Sequence, residues 1–356
     1  MSLRALLKTE LHWSRRHLLV LVFLLLFVPL AVGGASLVFQ DVVPEHIPVA
    51  VVEGDEEVSD TELELVMRSV DPWTDAKIVD SRTKAERLLE RESVYGIVVV
   101  PPDYLQPETN ATFTLVTDGS IAPFQSPSEL IQDLIAFELQ AAGFSENLTV
   151  EQEVSGEERG FEEYLYPGFM MGLLLFIAFT YVPYSLRREE PVLDRLRVEA
   201  SLESVVVTKL AFLTALMALP LLVFHAVSWY YSYGVDTGDP WGIAVLLLTF
   251  LLAATVSLTI VILTRFSRTG QLLNLVVLFG TLILSGLVFP RGFFSPLRST
   301  IVELVPTYYA GVIVRSRMLK DSEISLFTDW LLGLVLLQLL AFVALFAAIT
   351  YYRRSE

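Results

Sequence analysis

Residues 169–186 have the sequence FMMGLLLFIAFTYVPYSL, an apolar stretch of 18 residues without Asp, Glu, Lys or Arg. About 20 such residues cross the core of a bilayer as a helix, which pairs its own backbone polar groups. Similar stretches lie at residues 18–39, 210–233, 241–264, 272–289 and 330–352. With a mean hydropathy of +0.56 over 356 residues, the chain is therefore predicted to be an α-helical polytopic membrane protein with six transmembrane helices.

The interval between the first two predicted spans, residues 40–165, is strongly acidic, with 28 acidic and 7 basic residues. Short β-type runs alternate there with amphipathic stretches. The runs lie at 48–52, 76–79, 94–100 and 113–116, and the amphipathic stretches at 60–70, 83–92 and 127–142. This alternation predicts an inserted α/β domain with its own core. Residues 150–163 are acidic and contain Ser155-Gly156, so we expect a linker there.

Basic residues indicate the orientation of the chain. They occur in four short segments, at 1–17, 187–209, 265–268 and 353–356, which six spans would place on one side. The positive-inside rule assigns that side to the cytoplasm and residues 40–165 to the outside of the cell membrane. The 290–327 segment is an exception, with five basic residues on the outer side. The sequons at Asn110 and Asn147 predict possible glycosylation and weakly support the same orientation.

The first apolar run is expected to remain as an anchor. It spans 22 residues after Arg15-Arg16, longer than the core of a cleaved signal peptide. Residues 166–352 would then hold five further spans, and residues 353–356 would be a cytoplasmic C-terminus.

The acidic charge excludes one class of partner and suggests a source. Nucleic acid requires cationic contacts to phosphate, so we predict no nucleic-acid binding. With 20 Arg against 5 Lys and no Cys, the acidic surface favours a halophilic organism such as a halophilic archaeon. A surface that collects cations is the alternative.

Motifs for catalysis are missing from the sequence. It contains no G-x-x-x-x-G-K-[ST] loop and no H-E-x-x-H, and its four histidines are scattered. We therefore predict that this chain is not an enzyme and that it has no catalytic, cofactor-binding or metal-binding residues. The spans also lack internal acidic and basic residues, which argues against an ion-coupled carrier. Energy for any transport would come from a partner.

The segment after the second span has the pattern of a helix. Residues 187–203, RREEPVLDRLRVEASLE, place Leu193, Leu196 and Ala200 in one apolar stripe. Pro191 suits the first turn of a helix. The pattern predicts a short amphipathic helix parallel to the inner membrane surface. It fits an interfacial linker or a helix that docks in the groove of a cytoplasmic protein.

These residues resemble the permease subunits of type-2 ATP-binding-cassette (ABC) exporters, in the branch with a large extracytoplasmic domain between the first and second spans. That family has Arg-Glu after its second span, a Leu-Glu-Arg-Leu core, a Pro-x-Ser turn and a Lys that opens the third span. The residues that match in order are Arg188-Glu189, Leu193-Asp194-Arg195-Leu196, Ser201 and Lys209. Asp194 replaces the family's Glu. Ala200 stands where its Pro is common, so we expect the turn after the helix to differ.

Two further features carry the resemblance. Residues 284–290, LSGLVFP, and residues 305–309, VPTYY, are similar to the exit from the family's fifth span and to its later Pro-Thr-Tyr. The order of one span, an outside α/β domain and five spans is similar as well.

The resemblance implies an export permease that pairs with an identical or homologous second permease as a dimer and binds cytoplasmic ATPase subunits. ATP would be used by that partner. Residues 188–203 would be the coupling helix, and residues 290–327 would shape an outer gate. The implied ATPase-coupling residues are Arg188, Glu189, Glu190, Leu193, Asp194, Arg195, Leu196, Glu203 and Lys209, and the implied gate residues are Pro290, Pro306 and Tyr308. The alternative is a membrane-anchored binding or scaffold protein without transport. The residues do not select a substrate.

Overall fold

The computed structural model describes most of the chain from residue 47 to residue 354. The described ranges are 47–54, 58–70, 74–102, 104–106, 111–124, 132–133, 135–137, 149–199, 201–294 and 296–354. The predicted first span at 18–39, the asparagines of both sequons and most of the predicted helix at 127–142 lie outside these ranges.

Residues 47–155 contain one five-stranded sheet, in the order β2-β1-β3-β4-β5. The strands are β1 (Ile47–Glu53), β2 (Thr74–Ile78), β3 (Gly96–Val100), β4 (Thr112–Asp118) and β5 (Thr149–Ser155). Strands β3 and β4 are antiparallel, and the other neighbours are parallel. We call residues 47–155 the α/β unit.

Two short helices cover opposite faces of this sheet. Helix α1 (Asp60–Val70) buries Leu63, Val66 and Val70 in the same apolar cluster as Val49 and Val51. Helix α2 (Arg82–Glu90) buries Ala85 and Leu89 in a second cluster with Ala50 and Val52. Because side chains alternate along a strand, β1 supplies both cores.

The prediction of a linker at 150–163 is wrong for residues 150–155, because they belong to β5. This strand pairs in parallel with β4, from Thr112–Thr149 to Asp118–Ser155. It lies at the edge of the sheet and has mostly exposed side chains, so its sequence lacks the apolar pattern of a core strand.

The remainder of the described chain is almost entirely helical. The helices are α3 (Phe161–Glu199), α4 (Leu202–Leu216), α5 (Ala218–Tyr231), α6 (Pro240–Leu263), α7 (Arg268–Leu284), α8 (Pro296–Val302), α9 (Pro306–Lys320) and α10 (Thr328–Arg354). Four helical stretches are long and apolar enough to cross a membrane, at Phe161–Arg188, Leu202–Tyr231, Pro240–Leu263 and Ile324–Arg354. Helix α7, at the fifth predicted span, is a shorter apolar helix.

Two boundaries differ from the prediction. Helix α3 continues from the second span to Glu199, so residues 188–199 are not a separate helix. The third span starts earlier than predicted, at Leu202, and is interrupted at Met217. The interruption has a physical cause, because Pro220 has no N–H to donate to the Leu216 carbonyl four residues before it.

Helix α6 lies at the centre of the bundle, where it packs against α3, α9 and α10. Asp239 caps its first turn by accepting a hydrogen bond from the Gly242 N–H at 2.5 Å. The two ends of the bundle differ. At one end, Arg187 donates to Gln271 at 2.6 Å and Arg353 donates to Glu203 at 2.9 Å. The α/β unit contacts the other end.

Candidate functional sites at the two ends of the bundle

A groove of about 800 Å³ lies between α3 and α4, beside the predicted coupling segment. Arg188 of α3 and Lys209 of α4 line it together with the aromatic side chains of Tyr181, Tyr184 and Phe212. Two predicted coupling residues, 21 positions apart in sequence, are thus brought to one concave surface. Cationic and aromatic side chains can together contact acidic and apolar groups of a partner.

The start of α4 is held in place on the same side. Ser201 caps the helix by accepting a hydrogen bond from the Ser204 N–H at 3.2 Å. Glu203, another predicted coupling residue, forms an ion pair with Arg353 at 2.9 Å. The end of α10 therefore lies beside the start of α4.

The remaining predicted coupling residues lie in the last turns of α3. Residues Glu189, Glu190, Leu193, Asp194, Arg195 and Leu196 have a continuous helical backbone. Their side chains lie outside the part of the chain that the structure describes, so their predicted role stays a prediction.

The predicted gate segment folds back against the bundle. Pro290 precedes a 3-10 helix, Arg291–Phe293, and Pro306 opens α9, where its missing N–H costs no hydrogen bond. Tyr308 is buried, and burial raises the pKa of its phenol to about 12. Gly286 has φ 64 and lies against the Tyr308 ring, so the turn after α7 needs its left-handed backbone.

Helix α9 is buried to an extent that the sequence did not indicate. Eleven of its residues are buried, and it packs against α3, α6 and α10. A Cβ at Gly311 would lie 3.2 Å from the Leu287 side chain, so α9 closely approaches the chain that leaves α7. The predicted gate residues therefore lie in a packed layer between the apolar helices and the α/β unit.

A buried ion pair joins α9 to the α/β unit. Arg315 donates from Nε to Glu92 Oε1 at 2.9 Å and from Nη2 to Oε2 at 2.7 Å. Both side chains are 1% exposed. A third hydrogen bond, 3.1 Å long, runs from Nη1 to the Gly286 carbonyl. The Arg315 side chain thus joins three parts of the chain: α9, to which it belongs, the turn after α2 and the turn after α7.

The electrostatics of this pair favour the charged forms of both groups. Burial alone would raise the pKa of the Glu92 carboxyl, but the attraction and hydrogen bonds of Arg315 outweigh it and lower the pKa. Burial likewise works to lower the pKa of Arg315, and the negative charge of Glu92 raises it instead. The pair is therefore ionised at neutral pH.

The sequence analysis did not identify Glu92 or Arg315. One signal for Arg315 was available, since it follows the apolar stretch AGVIV at residues 310–314. An arginine in such surroundings needs a buried partner. Its partner is 223 positions away, which no local pattern reveals.

The described residues contain no group of three or more His, Asp or Glu side chains that could hold a metal ion. Comparison with known protein families gives one match, to the model of the ABC-2 family transporter proteins, over residues 18–352. No curated protein and no solved structure matches the chain.

Proposed function

The chain belongs to the ABC-2 family of transporter proteins, and we propose from this premise that it is the membrane-spanning permease subunit of an ABC exporter. A separate cytoplasmic ATPase would dock on residues 188–209 and supply the energy. The observation that carries the proposal is the family match, which covers nearly the whole chain.

The arrangement of the helix ends supports the docking site. Arg188 and Lys209 line one groove, and the Glu203–Arg353 ion pair joins the start of α4 to the end of the last span. A partner that pushes on this turn would therefore act on the second, third and last spans together. Residues 188–203 would serve as the coupling element: residues 188–199 continue α3, and Leu202 and Glu203 begin α4.

The orientation follows from the basic segments. The segments at 187–209, 265–268 and 353–356 would lie in the cytoplasm. The Arg353–Glu203 contact joins the first and the last of them, and Arg187 contacts Gln271, three residues beyond the middle one. The α/β unit, at the other end, would then be extracytoplasmic. Six spans result if residues 18–39 and α7 also cross the membrane.

The proposed assembly contains a second permease, identical or homologous, and two ATPase subunits. ATP would be bound and hydrolysed only by the ATPases. Their closure would shift the permease between two conformations, because an ATPase dimer that fits one conformation better stabilises it.

Co-purification tests the proposal. The chain is expressed with the ATPases of its native gene neighbourhood, as wild type and as Leu196→Asp. We expect an ATPase to follow the wild type and to be lost with Leu196→Asp, because a charge in the apolar stripe disrupts docking of a helix in a groove. Leu105→Asp is the matched control, since Leu105 is 44% exposed in the α/β unit.

The control should retain the ATPase. If no ATPase follows a folded wild type, or if Leu196→Asp retains it as well as the control does, the proposed docking is wrong. A binding or scaffold role of the α/β unit would then take its place.

A further inference from the structure

One turn of the α/β unit makes a run of polar contacts with the bundle. Ser316 of α9 donates to the Glu90 carbonyl at 2.8 Å. Arg91 forms an ion pair with Asp329 at 2.8 Å, and its guanidinium lies 4.3 Å from the centre of the Trp330 ring. Glu92 follows with the buried Arg315 pair. Three consecutive residues, the last of α2 and the two that follow it, thus contact α9 and the start of α10.

Apolar contacts also cross this junction, because one buried apolar cluster contains residues of both the α/β unit and the bundle. The Tyr95 ring packs against Gly292, where an added Cβ would lie 2.7 Å from the ring. Lys320, at the end of α9, forms an ion pair with Asp118, at the end of β4. We call this set of contacts, centred on Glu92–Arg315, the junction.

A junction of this kind suits docking that is reversible. Buried ion pairs add little net stability compared with apolar packing, because water solvates both charges well once they separate. They do enforce one geometry, since either charge left buried alone is costly.

The junction is also connected to the proposed ATPase end through α7. At the start of this helix Gln271 accepts a hydrogen bond from Arg187. Beyond its end, the Gly286 carbonyl accepts one from Arg315. A shift of α7 would therefore move the Gly286 carbonyl, which helps to orient Arg315. The position of the Arg315 guanidinium relative to Glu92 would change as a result.

We propose that Glu92 and Arg315 form a latch that docks the α/β unit on α9 in one state of the transport cycle and releases it in another. This inference rests on the proposed permease function and adds to it a moving outer domain. Release would expose α9 and the gate residues beneath the α/β unit.

Cross-linking across the junction tests the latch. The chain contains no Cys, so the double variant Arg91→Cys/Asp329→Cys introduces the only two thiols of this subunit. A bifunctional maleimide with a reducible spacer joins them in the permease–ATPase complex in liposomes. ATP hydrolysis is measured before cross-linking, after it and after reduction.

The matched control is Arg82→Cys/Glu153→Cys. This pair is also an exposed ion pair, 3.0 Å long, but both residues lie within the α/β unit. We expect cross-linking to abolish most ATP hydrolysis in the junction variant, reduction to restore it, and the control to keep its activity. Equal activity before and after complete cross-linking of the junction would overturn the latch.

A second measurement covers the case in which a variant loses activity for other reasons. The rate of junction cross-linking is compared between the double variant and the same variant with Glu92→Gln. We expect faster formation of the cross-link with the ion pair intact, since Glu92→Gln weakens docking. Equal rates would also overturn the latch. Absence of ATP hydrolysis from the wild-type complex and the control alike would instead overturn the proposed permease function.

Discussion

At the scale of the residue, Arg315 and Glu92 determine how the α/β unit meets the bundle. The fork of the guanidinium matches both carboxylate oxygens, at 2.9 and 2.7 Å, and neither group has access to water. A pair in this setting differs from the exposed pairs on α1 and α2, where screening by water reduces the attraction.

The first prediction compares a buried with an exposed arginine. Arg315→Ala leaves Glu92 buried without its partner, which typically costs about 3–5 kcal/mol. Arg68→Ala removes an exposed pair with Glu64 and should cost less than about 1 kcal/mol. Thermal unfolding of the full chain in detergent measures both. Equal losses in the two variants would contradict the burial argument.

The second prediction concerns pH. The pKa of Glu92 is lower in the folded chain than in the unfolded chain, so its contribution is complete above the unfolded value, about 4.3. The contribution is lost as the pH falls through the lowered, folded pKa. The stability difference between wild type and Glu92→Gln should therefore be constant from pH 8 to about pH 5 and shrink only in stronger acid. Thermal unfolding across this range measures it, and a difference that already shrinks between pH 7 and 6 would show that the assigned direction is wrong.

At the scale of the element, the sequence predicted strands β1 to β4 and missed the exposed edge strand β5. Strands β1 and β3 were found because β-branched runs mark buried strands. Strand β5 was predicted to be a linker because its exposed, acidic sequence lacks the apolar alternation of a core strand. The strand forms through backbone pairing with β4. The end of the second span was also misplaced. Pro191 favours the first turn of a new helix, yet α3 continues through it, and an amphipathic stripe does not reveal whether a helix is separate or continuous.

The third prediction compares two glycines on α3. A Cβ at Gly168 would lie 2.6 Å from the Leu287 carbonyl oxygen, whereas one at Gly172 would meet nothing within 4 Å. Gly168→Ala should therefore force α3 away from the turn after α7, at a cost of about 1–3 kcal/mol. Gly172→Ala, one helical turn away, should be neutral or slightly stabilising, because alanine favours helix. Thermal unfolding of both variants measures the two effects. If Gly168→Ala is as stable as the wild type, α3 does not pack closely on this turn.

At the scale of the whole molecule, the ion pairs that the structure describes outside the α/β unit lie at two ends, which an apolar bundle separates. One end has the groove of Arg188 and Lys209, and the other has the junction with the α/β unit. Sequence patterns indicated the coupling and gate segments, because each is continuous in sequence, and their roles stay predictions. Such patterns could not predict the contact between Glu92 and Arg315, because it depends on how the α/β unit packs against α9.

We propose that an ATPase binds at the α3–α4 turn and not at the α/β unit. Photo-cross-linking distinguishes the two positions, from single cysteines introduced as Ser201→Cys at the turn and Glu151→Cys on β5, in membranes that contain the co-expressed ATPase. We predict that the reagent captures the ATPase from position 201 and not from position 151. Capture from position 151, or no capture from position 201 while the complex still co-purifies, would contradict the account.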